Sequence, residues 1–305
     1  MRFDDGRAAL VLTHGRRPLP GSVAYAPRGP IGAGDPPGAV VARAAALAGW
    51  LRREGASILA VDPELDASPV YESGMLAAGF RATEEVQPSR HRVVLDLPAG
   101  AGEAAVLAAM SRSTRQRIHG AQASGTLVRE ESGGEHLAAF GALLDATAQR
   151  KHFDFGSGRG FTDWWRRVVE GGRARFYVAE SGGLLLGGLL AYRQGGHWAT
   201  AFSADDAALR REHPGTMHLL RWAVIGAALA DGSPSIDLGG VDLPGARRRP
   251  EPGDPSLGMY EHKVGFGARW VESTACHEIV LRPSVYRADL MLRSLRWGIR
   301  GRRVR

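Results

Sequence analysis

Hydrophobic and polar positions in the first third of the chain predict one series of elements. Residues 22–31 alternate like a strand, residues 35–55 have the pattern of a proline-opened amphipathic helix that ends in glycine, and residues 57–65 have that of a buried strand. A helical segment follows at residues 72–80 and an alternating strand at residues 91–97. This order predicts an α/β unit.

The second half of the chain repeats the order. Residues 197–205 have a strand pattern, residues 214–232 a proline-opened helix pattern, and residues 233–241 contain a short buried strand. The segment MYEHKVGFG at residues 259–267 follows, and the last strand is predicted at residues 277–283. Such self-similarity indicates two copies of one unit.

A glycine-phenylalanine pair precedes the last strand in each copy, as Gly79-Phe80 and Gly265-Phe266. The shared pair is expected to be structural, a tight turn followed by a buried aromatic residue. Lys263 is specific to the second copy, because the first copy has alanine at that place.

The second copy has more elements before its repeated part. Helical segments at residues 136–150 and 161–171 precede two strands, residues 174–181 and 184–194, and the two glycines between these strands predict a tight hairpin. This element order is that of the acetyltransferase-type (GNAT) fold. The predicted fold class is α/β, with two tandem GNAT-like domains whose mixed sheets are flanked by helices.

The predicted domain boundaries follow from the repeat. The first GNAT-like domain is expected at residues 1–131 and the second at residues 132–282. A C-terminal helix is expected at residues 283–305, packed back on the first domain.

Charge and cysteine content narrow the class of protein. The 305-residue chain has a net charge of +7 from 39 cationic side chains, of which only Lys151 and Lys263 are lysines. The arginines favour an anionic partner, or reflect a GC-rich genome. A single cysteine, Cys276, excludes an internal disulfide, and neither a signal peptide nor an apolar run of membrane-spanning length is found. A cytoplasmic protein is expected, with the inner face of the membrane as an alternative location.

Two arginine-rich segments are candidates for binding phosphate groups. Arg112, Arg115 and His119 have the spacing of one helix face, which either faces phosphates or is simply solvated. The C-terminal tail carries Arg300, Arg302 and Arg303 on a helix with an apolar stripe. Three interpretations of the tail stand: peripheral contact with acidic lipids, RNA binding, or docking on the first domain.

Several motifs, in order, resemble the Fem family of aminoacyl-tRNA-dependent peptidyltransferases, whose members add amino acids to peptidoglycan precursors. They are AYAPRGPI, VQPSRHRVVLDLP leading into MSRSTRQRIHGAQASG, and LRREHPGTMHLLRWAVIGAALADG followed by SIDLGGV and MYEHKVGFG. Together they span most of residues 22–281. The chain has no room for the family's long helical arm, so it resembles the arm-free members. Val264 replaces an arginine that usually follows the lysine, and His262 stands where an aromatic or apolar residue is common.

The resemblance implies attack of an acceptor amine on the ester that joins an amino acid to tRNA. It also makes the exposed-looking arginines of the two basic segments candidates for binding that tRNA: Arg112, Arg115, Arg300, Arg302 and Arg303. Lys263 matches the family's lysine, and its implied role is to stabilise the oxyanion that develops; the alternative is a surface lysine at a strand entrance. Tyr260 either orients the acceptor or is a core aromatic residue.

The acceptors of this family carry phosphates, and three arginines are candidates to bind them. Arg28 lies between two prolines in PRGP, and Arg210 and Arg211 precede the helix at residues 214–232. The alternative for each is an ordinary charge beside a helix or strand. No metal-ligand spacing is present, and neither a metal nor a cofactor is expected.

The predicted function is an aminoacyltransferase that uses aminoacyl-tRNA as donor. Its amine acceptor is either a peptidoglycan precursor, a UDP- or lipid-linked muropeptide, or a small peptide of secondary metabolism. The first alternative is an acyl-CoA-dependent N-acyltransferase on the same fold, although a close pair of glycines for a pyrophosphate is missing after Arg211. The second alternative is a non-catalytic basic module that binds RNA.

Overall fold

The computed structural model describes residues 1–15, 20–32, 34–151, 159–194, 196–243, 245–288 and 291. The chain divides into two compact units. Unit 1 contains Met1–His91, Asp242–Arg248 and the described part of Val271–Arg305. Unit 2 contains Arg92–Val241 and Arg249–Trp270.

Strands and helices are numbered here in chain order. The strands are β1 (Leu12–Gly15), β2 (Ser22–Arg28), β3 (Ala56–Pro63), β4 (Arg81–Thr83), β5 (Arg92–Asp96), β6 (Leu127–Glu131), β7 (Ala174–Ser181), β8 (Leu184–Gln194), β9 (His197–Asp205), β10 (Ser235–Asp237), β11 (Arg269–Val271) and β12 (Cys276–Val280). The helices are α1 (Pro37–Arg53), α2 (Pro69–Ala77), α3 (Glu103–Ala109), α4 (Arg112–Ala123), α5 (Leu137–Lys151), α6 (Arg159–Glu170), α7 (Thr216–Ala230) and α8 (Leu257–Val264).

Unit 1 is built on a five-stranded sheet in the order β1-β2-β3-β12-β4. β2 and β3 are parallel, and β12 runs antiparallel to both β3 and β4. Helix α1 begins at a proline, which suits the first helical turn because proline lacks an N–H group. Its apolar face packs with the sheet and with α2 around Leu47, Leu59 and Met75, all fully buried.

Unit 2 is built on a seven-stranded sheet in the order β11-β5-β10-β9-β8-β7-β6. Strands β6 to β9 are antiparallel neighbours, whereas β9 and β10 are parallel. Both faces of this sheet are covered, since the adjacent residues Leu189 and Leu190 of β8 belong to different buried clusters. One cluster includes residues of α4 and α7, and the other residues of α5 and α6.

The internal repeat is confirmed, but the last strand of each copy lies in the sheet of the other copy. β5 closes the first copy in sequence and pairs with β10 of unit 2, with Leu95 opposite Ile236. β12 closes the second copy and lies between β3 and β4 of unit 1, with Ile279 opposite Leu59. We call β5 and β12 the exchanged strands.

The exchanged strands also explain why the two units differ from the predicted boundary between residues 131 and 132. Residues 92–131 lie in unit 2, because β5 pairs with β10 and β6 pairs with β7. Residues 283–288 are helical, and Arg81 donates a hydrogen bond to the Tyr286 hydroxyl at 2.9 Å within unit 1. The rest of the predicted C-terminal helix, apart from residue 291, lies outside the described residues.

Most predicted elements are confirmed, the strand at residues 197–205 to the residue. The Gly182-Gly183 hairpin is confirmed too, since both glycines have positive φ angles. The interpretation of Lys263 as a surface residue at a strand entrance is wrong, because MYEHKV lies in helix α8 and the lysine is buried. No described helix is long and apolar enough to cross a membrane.

The glycine-phenylalanine pairs share only part of the expected role. Phe80 and Phe266 are both buried, as predicted. Gly79 has φ +85°, as expected for a tight turn. Gly265 has φ −57°, a right-handed helical conformation, at the C-terminal cap of α8. A Cβ at residue 265 would lie 2.5 Å from the hydroxyl oxygen of Thr114 in α4, so glycine is needed there for close approach.

The thiol of Cys276 tests the placement of β12. The side chain is fully buried, and burial raises the thiol pKa to about 12. Since only a thiolate in contact with solvent reacts, we expect labelling by a disulfide reagent to be at least about a thousandfold slower in buffer than in denaturant. The sequence has no other cysteine, so the signal comes from this strand alone. Rapid labelling in buffer would contradict the placement of β12 inside the sheet.

Candidate functional site

The candidate site of unit 2 lies where the parallel strands β9 and β10 adjoin helix α8. β10 ends at Asp237, and the chain then turns through Gly239 and Gly240. The buried Lys263 ammonium donates to the carbonyl oxygens of these glycines, at 2.8 Å for Gly239 and 3.1 Å for Gly240. Two of the three ammonium protons are therefore used by the main chain.

Gly239 has a specific steric reason to be glycine. Its φ is +84°, and a Cβ there would lie 3.3 Å from the Lys263 Nζ atom and 3.5 Å from the Thr200 carbonyl oxygen. The Asp237 carboxylate accepts a hydrogen bond from the Gly239 N–H at 2.7 Å. Asp237 thus fixes the turn whose carbonyl groups hold the lysine.

Helix α8 is held by the N-terminus of α4. The Ser111 N–H donates to the Gly265 carbonyl oxygen at 2.8 Å, and the Ser111 hydroxyl accepts a hydrogen bond from the Thr114 N–H at 3.2 Å. The serine therefore caps α4 while its main chain anchors the end of α8, two residues after Lys263.

A second buried cation, Arg221, lies beside Lys263. It projects from α7, and only 4% of the residue is exposed. Its guanidinium donates to the Thr200 hydroxyl and to His262 Nε2, both at 3.3 Å. Within the described residues, neither Arg221 nor Lys263 forms an ion pair with a carboxylate. Burying a cation without such a partner carries a desolvation penalty of several kcal/mol.

Arg221 determines which nitrogen carries the proton in two histidines. His262 Nε2 must accept from the guanidinium, so the proton of neutral His262 is on Nδ1 and points to His218 Nε2, 3.2 Å away. His218 must then carry its own proton on Nδ1. An arginine does not give up its proton, so this chain of hydrogen bonds is directed and leaves neither bonded nitrogen of His262 free to act as a base.

The environment changes the ionisation of all four groups. Burial, reinforced by the charge of Arg221 and opposed by Asp237, lowers the pKa of Lys263 to about 7. Burial lowers the pKa of Arg221 to about 10, so it stays cationic at neutral pH. Burial and nearby cations lower the pKa of His262 to about 2 and that of His218 to about 4, so both are neutral.

The arrangement is suited to an incoming negative charge. Lys263 and the permanently charged Arg221 are desolvated, and their hydrogen bonds go to neutral groups. An anion that forms within reach of the Lys263 ammonium would be stabilised more strongly than in water, because the surroundings are fixed and of low dielectric constant.

The other predicted residues of unit 2 lie in varied settings. Tyr260 is half-buried and packs edge-on against Trp270, with ring centres 5.9 Å apart. Arg210 is paired with Asp205 at 2.7 Å, whereas Arg211 is exposed and forms no ion pair with a described residue. This pairing leaves Arg211 as the freer of the two arginines.

The predicted tRNA-binding arginines separate into three groups. Arg112 is exposed on α4. Arg115 donates to the carbonyl oxygens of Leu107 and Ala108 at 3.3 and 3.2 Å, so it caps the C-terminus of α3 instead of facing solvent with Arg112. Arg300, Arg302 and Arg303 lie outside the described residues.

Arg28 lies in unit 1, at the end of β2. Its side chain is exposed, and its main-chain N–H donates to the Asp62 carboxylate at 2.7 Å. In the described parts of the chain, no group of histidine, cysteine and carboxylate side chains could hold a metal ion.

The sequence analysis did not identify Arg221, His262, which accepts a hydrogen bond from it, or His218, which is hydrogen-bonded to His262. One signal was present, because Arg221 interrupts an otherwise apolar run in LLRWAVIGAALA. A helix that is apolar on every side is expected to be buried, and arginine is rarely buried. An arginine in such a helix is therefore a candidate for a functional role.

Comparisons with known proteins agree with this architecture. Residues 108–251 match the family model described as an acetyltransferase (GNAT) domain. A crystal structure of FemX is similar with a TM-score of 0.77, at 15% identity, over 92% of this chain and 86% of that chain. No curated protein matches the sequence.

Two further solved structures are similar at lower scores. L-PGS from Bacillus licheniformis has a TM-score of 0.56 at 13% identity, over 91% of this chain and 82% of that chain. The C-terminal DUF2156 domain of a protein assigned as a lysylphosphatidylglycerol synthetase from Agrobacterium fabrum has a TM-score of 0.55 at 15% identity, over 95% of this chain and 86% of that chain. The fold is therefore a GNAT-type α/β fold, with mixed sheets flanked by helices.

The burial of Lys263 predicts an unusual dependence of stability on pH. Between about pH 7 and the ordinary lysine pKa of 10.5, the unfolded chain holds a proton that the folded chain has lost, so wild-type stability rises with pH. Lys263→Met removes this contribution. We expect the gain in melting temperature of Lys263→Met over wild type to be largest at or below pH 7 and to shrink towards pH 10.

The matched control is Arg129→Met, which changes a cation on β6 whose side chain is 45% exposed. Its difference from wild type should show no comparable rise towards low pH. A difference between Lys263→Met and wild type that is constant from pH 6 to pH 10 would contradict the lowered pKa of Lys263.

Proposed function

We propose that this protein is an aminoacyltransferase that moves an amino acid from aminoacyl-tRNA to an amine acceptor. The acceptor is a peptidoglycan precursor, a UDP- or lipid-linked muropeptide, or a small peptide. The observation that carries the proposal is the buried pair of cations, Lys263 and Arg221, neither of which has an ion-pair partner among the described residues. The motif resemblance to the Fem family and the similarity of fold to FemX support the choice of donor.

The proposed reaction forms one bond and breaks one. The acceptor nitrogen attacks the ester carbonyl carbon, and the carbonyl oxygen becomes an oxyanion. Collapse of the tetrahedral intermediate forms the amide C–N bond and breaks the ester C–O bond, whose electron pair leaves with the ribose oxygen of tRNA. The proton lost by the amine ends on that oxygen, so the overall charge is balanced.

Lys263 is the proposed oxyanion donor in this reaction. Two of its protons are held by Gly239 and Gly240, so the third has a fixed direction and can meet the oxyanion without reorganisation. Arg221 is proposed to keep the surroundings positive and to hold His262 in one tautomer. A lysine suits the position better than an arginine, because a compact ammonium fits between two carbonyl oxygens whereas a planar guanidinium does not.

Arg28 in unit 1 and Arg211 in unit 2 are each a proposed contact for a phosphate group. Both side chains are exposed, as a ligand from solvent requires. Arg210 is a weaker candidate, since Asp205 already neutralises it. Tyr260 and Arg112 stay candidates for orienting the acceptor and for binding tRNA.

A transfer assay tests the proposed class of reaction. Purified protein is incubated with a UDP-linked muropeptide and either tRNA charged with radiolabelled glycine, alanine or serine, or labelled acetyl-CoA. Amide formation from charged tRNA is the expected result. Transfer from the coenzyme alone would replace the proposal with an acyl-CoA N-acyltransferase, the activity that the acetyltransferase-domain match favours. Binding of tRNA without any transfer would indicate the RNA-binding module.

The role of Lys263 predicts a separation of turnover from acceptor binding. We expect Lys263→Met to lower kcat by about a hundredfold with little change in acceptor KM, because a donor that acts on the oxyanion matters only in the transition state. Lys263→Arg should not restore the rate, although it keeps the charge. Arg129→Met is the control, and an unchanged kcat in Lys263→Met would remove this residue from the mechanism.

A further inference from the structure

The main chain at Arg28 has a conformation that is unusual for arginine. Its φ is +52°, and it is the only non-glycine residue with positive φ in the described ranges. This left-handed region favours glycine and asparagine, because a Cβ atom crowds the carbonyl oxygen there. Sparsely populated conformations of this kind persist only where the surroundings hold them, and they are concentrated at functional sites.

Asp62 holds this conformation from the neighbouring strand. It lies near the end of β3, only 5% exposed, and one carboxylate oxygen accepts the Arg28 N–H at 2.7 Å. The other oxygen accepts the Tyr25 hydroxyl at 2.5 Å, and that hydroxyl accepts a hydrogen bond from the Gln87 side-chain amide at 3.0 Å. β2 and β3 are parallel with Arg28 opposite Pro63, so all these groups meet at one end of the strand pair.

This network fixes the main chain of Arg28, and the charge of its guanidinium acts on Asp62, where burial raises the carboxyl pKa and the nearby arginine opposes that rise. The side chain is exposed, and it forms no hydrogen bond or ion pair with any residue that the structure describes. An arginine kept only for folding would be expected either to pair its side chain or to occupy a relaxed backbone. Arg28 has only a longer-range electrostatic interaction with Asp62 and keeps a crowded backbone, so its exposed guanidinium points to a ligand outside the protein.

The second copy uses the equivalent aspartate in a similar way. Asp237 ends β10 just as Asp62 lies near the end of β3, and Asp237 accepts the N–H of Gly239 in the turn whose carbonyl oxygens bind the Lys263 ammonium. In each unit, an aspartate at the end of the second parallel strand therefore fixes a short main-chain segment beside a cation.

We propose that Asp62, supported by Tyr25 and Gln87, is a positioning residue that locks the Arg28 turn so that its guanidinium can bind a diphosphate group. The inference rests on the proposed function for the identity of the acceptor, but the binding of a diphosphate can be measured without any transfer reaction. Arg28 binds the ligand and Asp62 acts only through Arg28.

One substitution of Arg28 separates backbone strain from ligand binding, which is measured by titration calorimetry with inorganic pyrophosphate. Arg28→Gly should raise the melting temperature, because glycine adopts the left-handed conformation without crowding. The same variant should weaken pyrophosphate binding by about tenfold to a hundredfold, as expected for loss of a charge-assisted contact. Unchanged pyrophosphate affinity, or no measurable binding to wild type, would overturn the proposal.

Substitutions of Asp62 distinguish positioning from charge. Asp62→Ala removes the acceptor for the Arg28 N–H, and we expect about tenfold weaker pyrophosphate binding. Asp62→Asn keeps a carbonyl oxygen in that place, and it should stay within about threefold of wild type. If Asp62 acted only by its negative charge, both variants would bind the anion more tightly than wild type. That result would overturn the proposal.

A double-variant cycle gives the final test. Asp62→Ala should cause no further loss of pyrophosphate affinity in the Arg28→Gly background, because Asp62 acts through the arginine. An equal loss in both backgrounds would contradict this. If Asp62→Ala does not fold, Tyr25→Phe takes its place. It removes the hydroxyl that donates to Asp62, and it should reduce pyrophosphate affinity by less than about tenfold. If these binding results hold while no donor supports transfer, the proposed function fails and the positioning role stands.

Discussion

The ammonium of Lys263, held between two backbone carbonyl oxygens, constrains the whole candidate site. Those carbonyls can converge only because Gly239 adopts a left-handed conformation and lacks a side chain that would meet the lysine. The lysine reaches them only because α8 is anchored through Gly265 to the capped end of α4. Burial, reinforced by the charge of Arg221, lowers the pKa of Lys263, so the site holds a lysine that is both desolvated and oriented.

Sequence patterns predicted the local elements and the repeat, because both depend on neighbouring residues. The apolar periodicity of residues 214–232 predicts a helix, and the glycine pair Gly182-Gly183 predicts a hairpin. Both signals lie within the segment itself, so they do not depend on residues far away in the chain. The sheet to which each last strand belongs has no such signal. β5 and β12 have the same alternating pattern whichever sheet they join, so only the partner strands decide between them.

The candidate site was predictable only in part, for a similar reason. The sequence makes Lys263 a candidate because lysine is rare in this chain and because several motifs, in order, resemble one family. Arg115 and Arg210 are phosphate-binding candidates by sequence, but residue spacing does not show that Arg115 donates to main-chain carbonyl oxygens and that Arg210 pairs with a carboxylate. Arg221 interrupts the apolar run of α7 in the sequence, but the pattern alone does not distinguish a buried arginine from an exposed one.

The exchanged strands give the chain a property that neither copy would have alone. A single copy that placed its last strand in another sheet would have to find a second molecule, as domain-swapped dimers do, and its folding would depend on protein concentration. Here the two copies that exchange strands belong to one covalent chain. The partner strand is therefore present at a fixed effective concentration, however dilute the protein is. Pairing of the exchanged strands therefore does not depend on protein concentration, as it would in a swapped dimer.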